Sequence, residues 1–459
     1  MAGEAFPNDF VWGVATSAFQ IEGAHDVDGR GPSIWDTYAA RPGRIEDGSK
    51  AEVACDHYYR YREDIALMKF LGVGAYRFSI SWPRIFPTGR GEVNAAGLDF
   101  YDRLVDALME ARLASWVTLY HWDLPQALQD EGGWVNRSTV DAYVELADVV
   151  SERLGDRVQN WITHNEPWCA SVLGYADGVQ APGRRSWSEA LVVSHHLLLS
   201  HGRAVPVIRR NAPGSKVGIT LNASSVEPAS PSEADRISAR QFDGELNRWF
   251  LDPIYFGRYP SDVIAYHERE GRLPDGMRFV HPGDLGEIHT PIDFLGVNYY
   301  SRAVVRSASI PEAENEPRTV PVPDPGELTD MGWEVYPEGL TKTLVRLNDD
   351  YDPGSLVVTE NGAAYATGPG PDGLVQDTKR CEYLRRHLQA CLAATREGVP
   401  LDGYFLWSLL DNFEWAFGFA KRFGIVWVDF DTQERIIKAS GHMYRRIIQH
   451  NRVSEDEAA

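Results

Sequence analysis

The chain is poor in cysteine, poor in positive charge and free of long apolar runs. Its four cysteines in 459 residues, Cys55, Cys169, Cys381 and Cys391, include no CxxC pair. A disulfide framework or a zinc ribbon needs such clusters, so reduced thiols in a reducing compartment are expected. Lys and Arg number 45 against 66 Asp and Glu, a formal net charge of −21. That excess repels phosphate backbones and anionic lipid, which argues against nucleic acid and membrane as partners and favours a neutral or cationic ligand. No stretch approaches the roughly 18 uninterrupted apolar residues of a membrane span. The start, MAGEAFPNDFVWGVATSAFQ, lacks the basic and apolar regions of a secretory leader, and a cytoplasmic location is the expectation. A phosphate-cradling glycine loop is also missing. GPGPDG at 368–373 fits GxGxxG on paper, but its two prolines remove backbone donors and no helix opens there, so it reads as a turn.

Eight short apolar runs flanked by turn residues stand out at 10–17, 75–82, 114–122, 160–167, 216–224, 293–301, 355–362 and 403–411. They are nearly continuous in hydrophobicity instead of alternating, the mark of strands buried on both faces of a parallel sheet. Between them lie helical spacings at 61–72, 98–113, 138–155, 188–210 and 381–398. Ser138 with Asp141 looks like a helix start, and Gly72, Gly155 and Gly398 stand where helices stop. The pattern predicts an α/β fold, a single (β/α)₈ TIM barrel spanning residues 1–459, with its site at the C-terminal ends of the strands. Residues 225–292 and 302–336, the latter around the Pro-rich acidic stretch at 310–330, are elaborated loops within that barrel.

In such a barrel the residues that close each strand form the pocket. Here they are Gln20 and Glu22, Arg77, His121 and Trp122, Asn165 and Glu166, Asn222, Asn298 and Tyr300, Glu360 and Asn361, then Trp407 with Asp411, Glu414 and Trp415 beyond. Amides and carboxylates read vicinal hydroxyls and indoles stack on ring C–H groups, so this lining suits a carbohydrate. Glycoside hydrolysis uses two carboxylates across one bond, about 5–5.5 Å apart for retention and roughly 6.5–9.5 Å for inversion. Glu166, in NWITHNEP, and Glu360, in SLVVTENG, are the candidates. Arg77 and Tyr300 are the donors expected to hold Glu360 ionised, whereas Glu166, which must first hold a proton, should lack a close cation. Strand alternation forbids Asn165 and Glu166 from both facing the pocket in a regular pleat, and Pro167 breaks the ladder there.

The motifs FVWGVATSAFQIEGA, YRFSISWPRI, LYHWDLPQAL, NEPW, LGVNYY, TENG, SLLDNFEWAFGF and RFGIVWVD follow one another along nearly the whole chain. In that order they resemble glycoside hydrolase family 1, the β-glucosidase family. The resemblance implies Glu166 as acid/base and Glu360 as nucleophile, with Arg77, Asn298 and Tyr300 supporting the nucleophile. It implies Gln20, His121, Trp122, Asn165, Trp407, Glu414, Trp415 and Phe423 around the nonreducing sugar, Trp168 and Trp333 on the aglycone side, a cis peptide after Trp407, and no metal or organic cofactor. Glu414 and Trp415 argue against a sugar 6-phosphate, and Glu166 argues against the thioglucosidases, which carry Gln there. Two departures, His164 in THNEP and Gln180 in GVQAPG, are expected to bear on the aglycone and not on the chemistry.

Plainer readings compete. His195, His196 and His201 read as ordinary helix residues in preference to metal ligands, and Asn222 fits a turn former as well as a site residue. The implied substrates are β-glucosides and short β-linked oligosaccharides. Broader glucoside, galactoside and fucoside specificity, transglycosylation and a noncatalytic sugar-binding role are the alternatives. Oligomeric state is left open by the sequence.

Overall fold

A computed structural model describes residues 4–273, 275–307 and 326–453. Residues 310–325 of the Pro-rich acidic stretch lie outside the described residues. Eight parallel strands close into a barrel: β1 Val11–Ala15, β2 Ala75–Ser79, β3 Ala114–Tyr120, β4 Asn160–Asn165, β5 Lys216–Asn222, β6 Phe294–Asn298, β7 Leu356–Asn361 and β8 Leu401–Trp407. Neighbours in sequence are neighbours in space, and β8 pairs with β1 to close the ring. Every residue of β2 and β7 is buried, which is why these strands show no alternation in sequence.

The helices that return the chain are α1 His57–Leu71, α2 Ala95–Ala111, α3 Ser138–Leu154, α4 Trp187–Asn211, α5 Glu233–Asp243, α6 Trp249–Phe256, α7 Ser261–Arg269, α8 Pro337–Tyr351, α9 Thr378–Arg396 and α10 Ala439–His450. In α2 the buried Leu98, Tyr101, Leu104, Val105 and Leu108 fall at three- and four-residue spacing, one stripe turned to the strands. Several helices begin earlier than their apolar spacing suggests, because first turns such as His57–Arg60 carry polar residues. Ser138 is not the cap of α3 but its first residue, and its N–H is taken by Asn136 Oδ1 at 3.1 Å. Gly72 ends α1 with a φ of +77°, whereas Gly155 keeps a right-handed φ of −68°.

Two apolar layers result. One lies between strands and helices. The other plugs the barrel below its mouth, where the Trp116 ring packs edge-on to Phe294 at 5.1 Å and against Phe405 at 5.0 Å. The elaborated segment between β5 and β6 folds as α5 to α7 and docks on α4. Trp249 Nε1 donates to Ser194 Oγ at 2.9 Å, and His195 bonds Tyr259 Oη at 3.0 Å and Asp284 Oδ2 at 2.9 Å. His196 reaches the Trp134 carbonyl and His201 the Thr163 hydroxyl, so each of these histidines is held by protein groups. All four cysteines are buried free thiols. No helix among the described residues is long and apolar enough to cross a membrane.

At the mouth of the barrel the chain leaving β7 runs close against the end of β8. A Cβ on Gly362 would sit 1.7 Å from the Trp407 carbonyl oxygen. Gly362→Ala should therefore push the two strand ends apart at a cost of about 1–3 kcal/mol, seen as a lower thermal unfolding midpoint. An unchanged midpoint would show that the contact is slack.

Candidate active site

At the end of β4 the pairing with β5 slips between Ile162 and Asn165. The next residue, Glu166, takes a left-handed φ of +49° while its N–H still reaches the Thr220 carbonyl at 2.9 Å. That single turn defeats the alternation of the pleat, so Asn165 and Glu166 both turn toward the barrel mouth. Trp122 and Trp415, at φ +76° and +49°, share this unfavourable region. Three non-glycine residues held there, at a cost of the order of 1–3 kcal/mol each, cluster in one site.

Arg77 on β2 rises through the centre, fully buried. Its Nη1 donates to Glu360 Oε1 at 2.5 Å and to the Thr359 carbonyl at 3.1 Å, and its Nη2 donates to Asn165 Oδ1 at 2.6 Å. Tyr300 Oη donates to the other Glu360 oxygen at 2.6 Å. Both oxygens of Glu360 are thus fixed, one by a guanidinium and one by a phenol. Glu166 has different company. Its Oε1 accepts from Asn298 Nδ2 at 2.8 Å, and that amide also donates to Asn165 Oδ1 at 3.0 Å. The chain of contacts Glu360, Arg77, Asn165, Asn298, Glu166 links the ends of β7, β2, β4 and β6.

Around the two carboxyl groups opens a cavity of about 790 Å³ that also takes in His121, Trp122, Trp407, Glu414, Trp415 and Phe423. The His121 ring lies 5.9 Å from both Trp407 and Trp415, nearly parallel to each. The lining also includes the apolar Trp168, Leu173, Val179, Leu328, Met331 and Trp333, with Gln180, Arg302 and Glu334 among them. Such a cavity has polar groups converging on its floor and rings along its sides, and is large enough for more than one sugar-sized ring.

Burial and mutual repulsion set the protonation states. Desolvation, then the nearby Glu360 charge, push the Glu166 carboxyl up to about 8. Glu414 is pushed up to about 8 by the same two causes in the same order. Burial, with Arg77 adding to it, holds His121 well below the usual imidazole range. Near neutrality the site therefore presents Glu166 as a proton donor.

A family model described as Glycosyl hydrolase family 1 matches residues 2–453. The chain belongs to glycosyl hydrolase family 1. It is 48% identical to a protein named Beta-glucosidase A from Acetivibrio thermocellus over 98% of this chain and 100% of that one. It is 47% identical to Beta-glucosidase A from Thermotoga maritima, covering 97% and 98%. A solved structure described as a family 1 β-glucosidase from Thermotoga maritima superposes with a TM-score of 0.93 at 45% identity, covering 99% of this chain and 100% of that one.

Most residues nominated from sequence converge in this family 1 site, with changes of part. Asn298 neighbours Glu360 across β6 and β7 but turns its side chain elsewhere: its amide lies on Glu166 and Asn165, and its own oxygen accepts from Thr359 Oγ1 at 2.8 Å. Gln20 is wholly buried, and its amide nitrogen donates to Asn412 Oδ1 at 3.0 Å, the Phe413 carbonyl at 2.9 Å and Glu414 Oε2 at 3.3 Å. Of the two departures, Gln180 lines the cavity. His164 instead packs outward, stacked on Tyr143 at 4.4 Å with Nε2 at 2.8 Å from Ser200 Oγ. Asn222 does line the cavity, and the peptide after Trp407 is cis. Sequence reading missed Thr359 and Cys169, a buried thiol that lines the cavity with Glu166. The i, i+3 spacing of Cys169 from Glu166 on a helical turn was the signal.

Two outcomes follow for stability. Arg77→Met leaves Glu360 buried without its cation and should cost about 3–5 kcal/mol, measured by denaturant unfolding; a loss under 1 kcal/mol would contradict the pairing. Because Glu166 holds its proton more tightly folded than unfolded, it contributes stability fully present below about 4.5 and lost as pH rises through about 8. Thermal melts of Glu166→Gln should thus gain on those of the unaltered protein between pH 4.5 and 8, and a constant gap across that range would refute the shift.

Proposed function

We propose that this protein is a retaining exo-β-glucosidase, one catalytic barrel domain that releases terminal nonreducing β-D-glucosyl residues through a covalent glycosyl-enzyme intermediate. The observation that carries the reading is the unequal pair of carboxyl groups at the ends of β4 and β7: Glu360 against Arg77 and Tyr300, Glu166 against an amide and a thiol. Family membership and relatives named β-glucosidase support it.

A β-glucoside sits with its nonreducing ring among His121, Trp407, Glu414 and Trp415 and its leaving group toward Trp168 and Trp333. The Glu360 oxygen attacks the anomeric carbon as Glu166 gives its proton to the glycosidic oxygen, and the alcohol leaves. Glu166, now ionised, takes a proton from a water that attacks the same carbon and expels Glu360, so two inversions give net retention. Positive charge growing on the ring in each transition state faces the buried carboxylate of Glu360, where electrostatic stabilisation is strongest. Asn165, tied to Arg77, Asn298 and His121, joins the carboxyl pair to the residues around the sugar. Two carboxyl groups supply the nucleophile and the proton, and the chemistry calls for no metal or organic cofactor.

The substrates proposed are aryl and alkyl β-glucosides and short β-linked oligosaccharides, with a cytoplasmic location in keeping with the few, buried, free thiols. Galactosides and fucosides, which share most hydroxyls with glucosides, are proposed as slower substrates.

Glu360→Gly should lower kcat on an aryl β-glucoside by at least about 10⁴-fold, and added azide should restore turnover to an α-glucosyl azide. Activity near that of the unaltered enzyme would refute the assignment. Since the donor form of Glu166 is lost as pH rises through about 8, kcat/KM should fall on that side, and a profile flat to pH 10 would place the proton donor elsewhere.

A further inference from the structure

Behind the loop that carries Glu414 and Trp415, one carboxylate collects three donors. Asp411 is wholly buried. Its Oδ1 accepts from Lys438 Nζ at 2.7 Å and from the Gly424 N–H at 3.0 Å, and its Oδ2 accepts from Arg422 Nη1 at 2.9 Å. Lys438 is buried to the same degree. A buried Asp, Lys and Arg group is expensive to desolvate and is weak grounds for stability by itself.

The chain positions of these partners give the group a purpose. Asp411 stands where the chain leaves β8, while Arg422 and Gly424 stand where it returns. The intervening loop carries Glu414 and Trp415 into the cavity, and Phe423 lies between the two returning anchors. The stems touch backbone to backbone: a Cβ on Gly424 would lie 2.0 Å from the Asp411 nitrogen. The Asp411 N–H also bonds the Val426 carbonyl at 2.9 Å. From the cavity side, Gln20 holds the same loop through Asn412, the Phe413 carbonyl and Glu414. Asp47 accepts from the Phe419 N–H at 2.7 Å at the loop tip and Arg380 donates to the Arg422 carbonyl at 2.9 Å on the returning stem, but among these side chains Asp411 is the one that joins the two stems.

We propose that Asp411 is a positioning residue for sugar binding, closing the base of the loop so that Glu414, Trp415 and Phe423 form one fixed wall. The role rests on the glucosidase reading above. It acts first on the wall, because Arg77, Tyr300 and Asn298, which hold Glu360 and Glu166, come from β2, from just after β6, and from β6, and the wall meets this set where Phe423 packs edge-on to Tyr300 at 6.0 Å. Loss of the clamp loosens the wall in ground state and transition state alike, and uniform loss of binding raises KM with little change in kcat.

Asp411→Asn keeps the shape and removes the charge, and Arg422→Met removes one donor whose side chain is 20% exposed while leaving Lys438 paired. For an aryl β-glucoside, Asp411→Asn should raise KM and the competitive inhibition constant of glucose together by about tenfold, and Arg422→Met by about threefold, with kcat within about threefold. A merely structural residue would lower the unfolding midpoint and leave both constants unmoved below it. The role is overturned if folded variants keep KM and the glucose constant within about twofold of the unaltered enzyme, or if kcat falls while KM stays. Should Asp411→Asn not fold, Arg422→Met decides. An unaltered protein that hydrolyses no β-glucoside refutes the parent reading and this role with it, whereas an active one with unmoved variants refutes the role of Asp411 alone.

Discussion

The position of one positive charge organises the mouth of the barrel. Arg77 reaches the carboxylate of Glu360 and the amide of Asn165 with separate nitrogens, and so separates two acids that composition would make equivalent. Glu360 gains a cation and a phenol. Glu166 meets an amide instead, and burial next to the Glu360 charge pushes its carboxyl up to about 8. Two identical side chains are thereby given unlike environments, which the proposed mechanism uses as acid and nucleophile. Burial and the same Glu360 charge push Glu414 the same way.

That arrangement depends on the fold holding unfavourable backbone in place. Glu166, Trp122 and Trp415 occupy left-handed conformations that an isolated chain would leave at once. They persist because their surroundings fix them from several directions. Trp122 Nε1 donates to the Asn165 carbonyl at 2.9 Å, and the Trp415 ring packs on Trp35 and Trp122, each at 4.6 Å. Beneath them the Trp116, Phe294 and Phe405 plug gives the strand ends a floor that does not yield. Strain and function coincide here, with the cost met by packing elsewhere.

Much of this was legible in the chain. All eight barrel strands lie within or beside the apolar runs, because a strand buried on both faces leaves a continuous apolar signal that a loop cannot imitate. The two glutamates could be found because each closes such a run next to an asparagine. What sequence could not give was direction. Asn298 ends the strand beside Glu360, and only the twist of the barrel decides that its amide swings to Glu166. His164 and Glu166 are two residues apart and would share a face in a regular strand. The slip in β4 and the left-handed turn at Glu166 separate them, one outward onto Tyr143 and one into the cavity. Helix starts were missed where first turns are polar. The Asp411 clamp was invisible because its three donors come from positions 11, 13 and 27 residues further on.

The most direct test is to trap the covalent intermediate. Incubation with 2,4-dinitrophenyl 2-deoxy-2-fluoro-β-D-glucoside, then proteolysis and mass spectrometry, should show one fluoroglucosyl unit per chain, attached to Glu360 in the peptide containing SLVVTENG. Attachment to Glu166 or Glu414, or steady hydrolysis of substrate by a protein that never becomes labelled, would contradict the division of labour that Arg77 is held to impose.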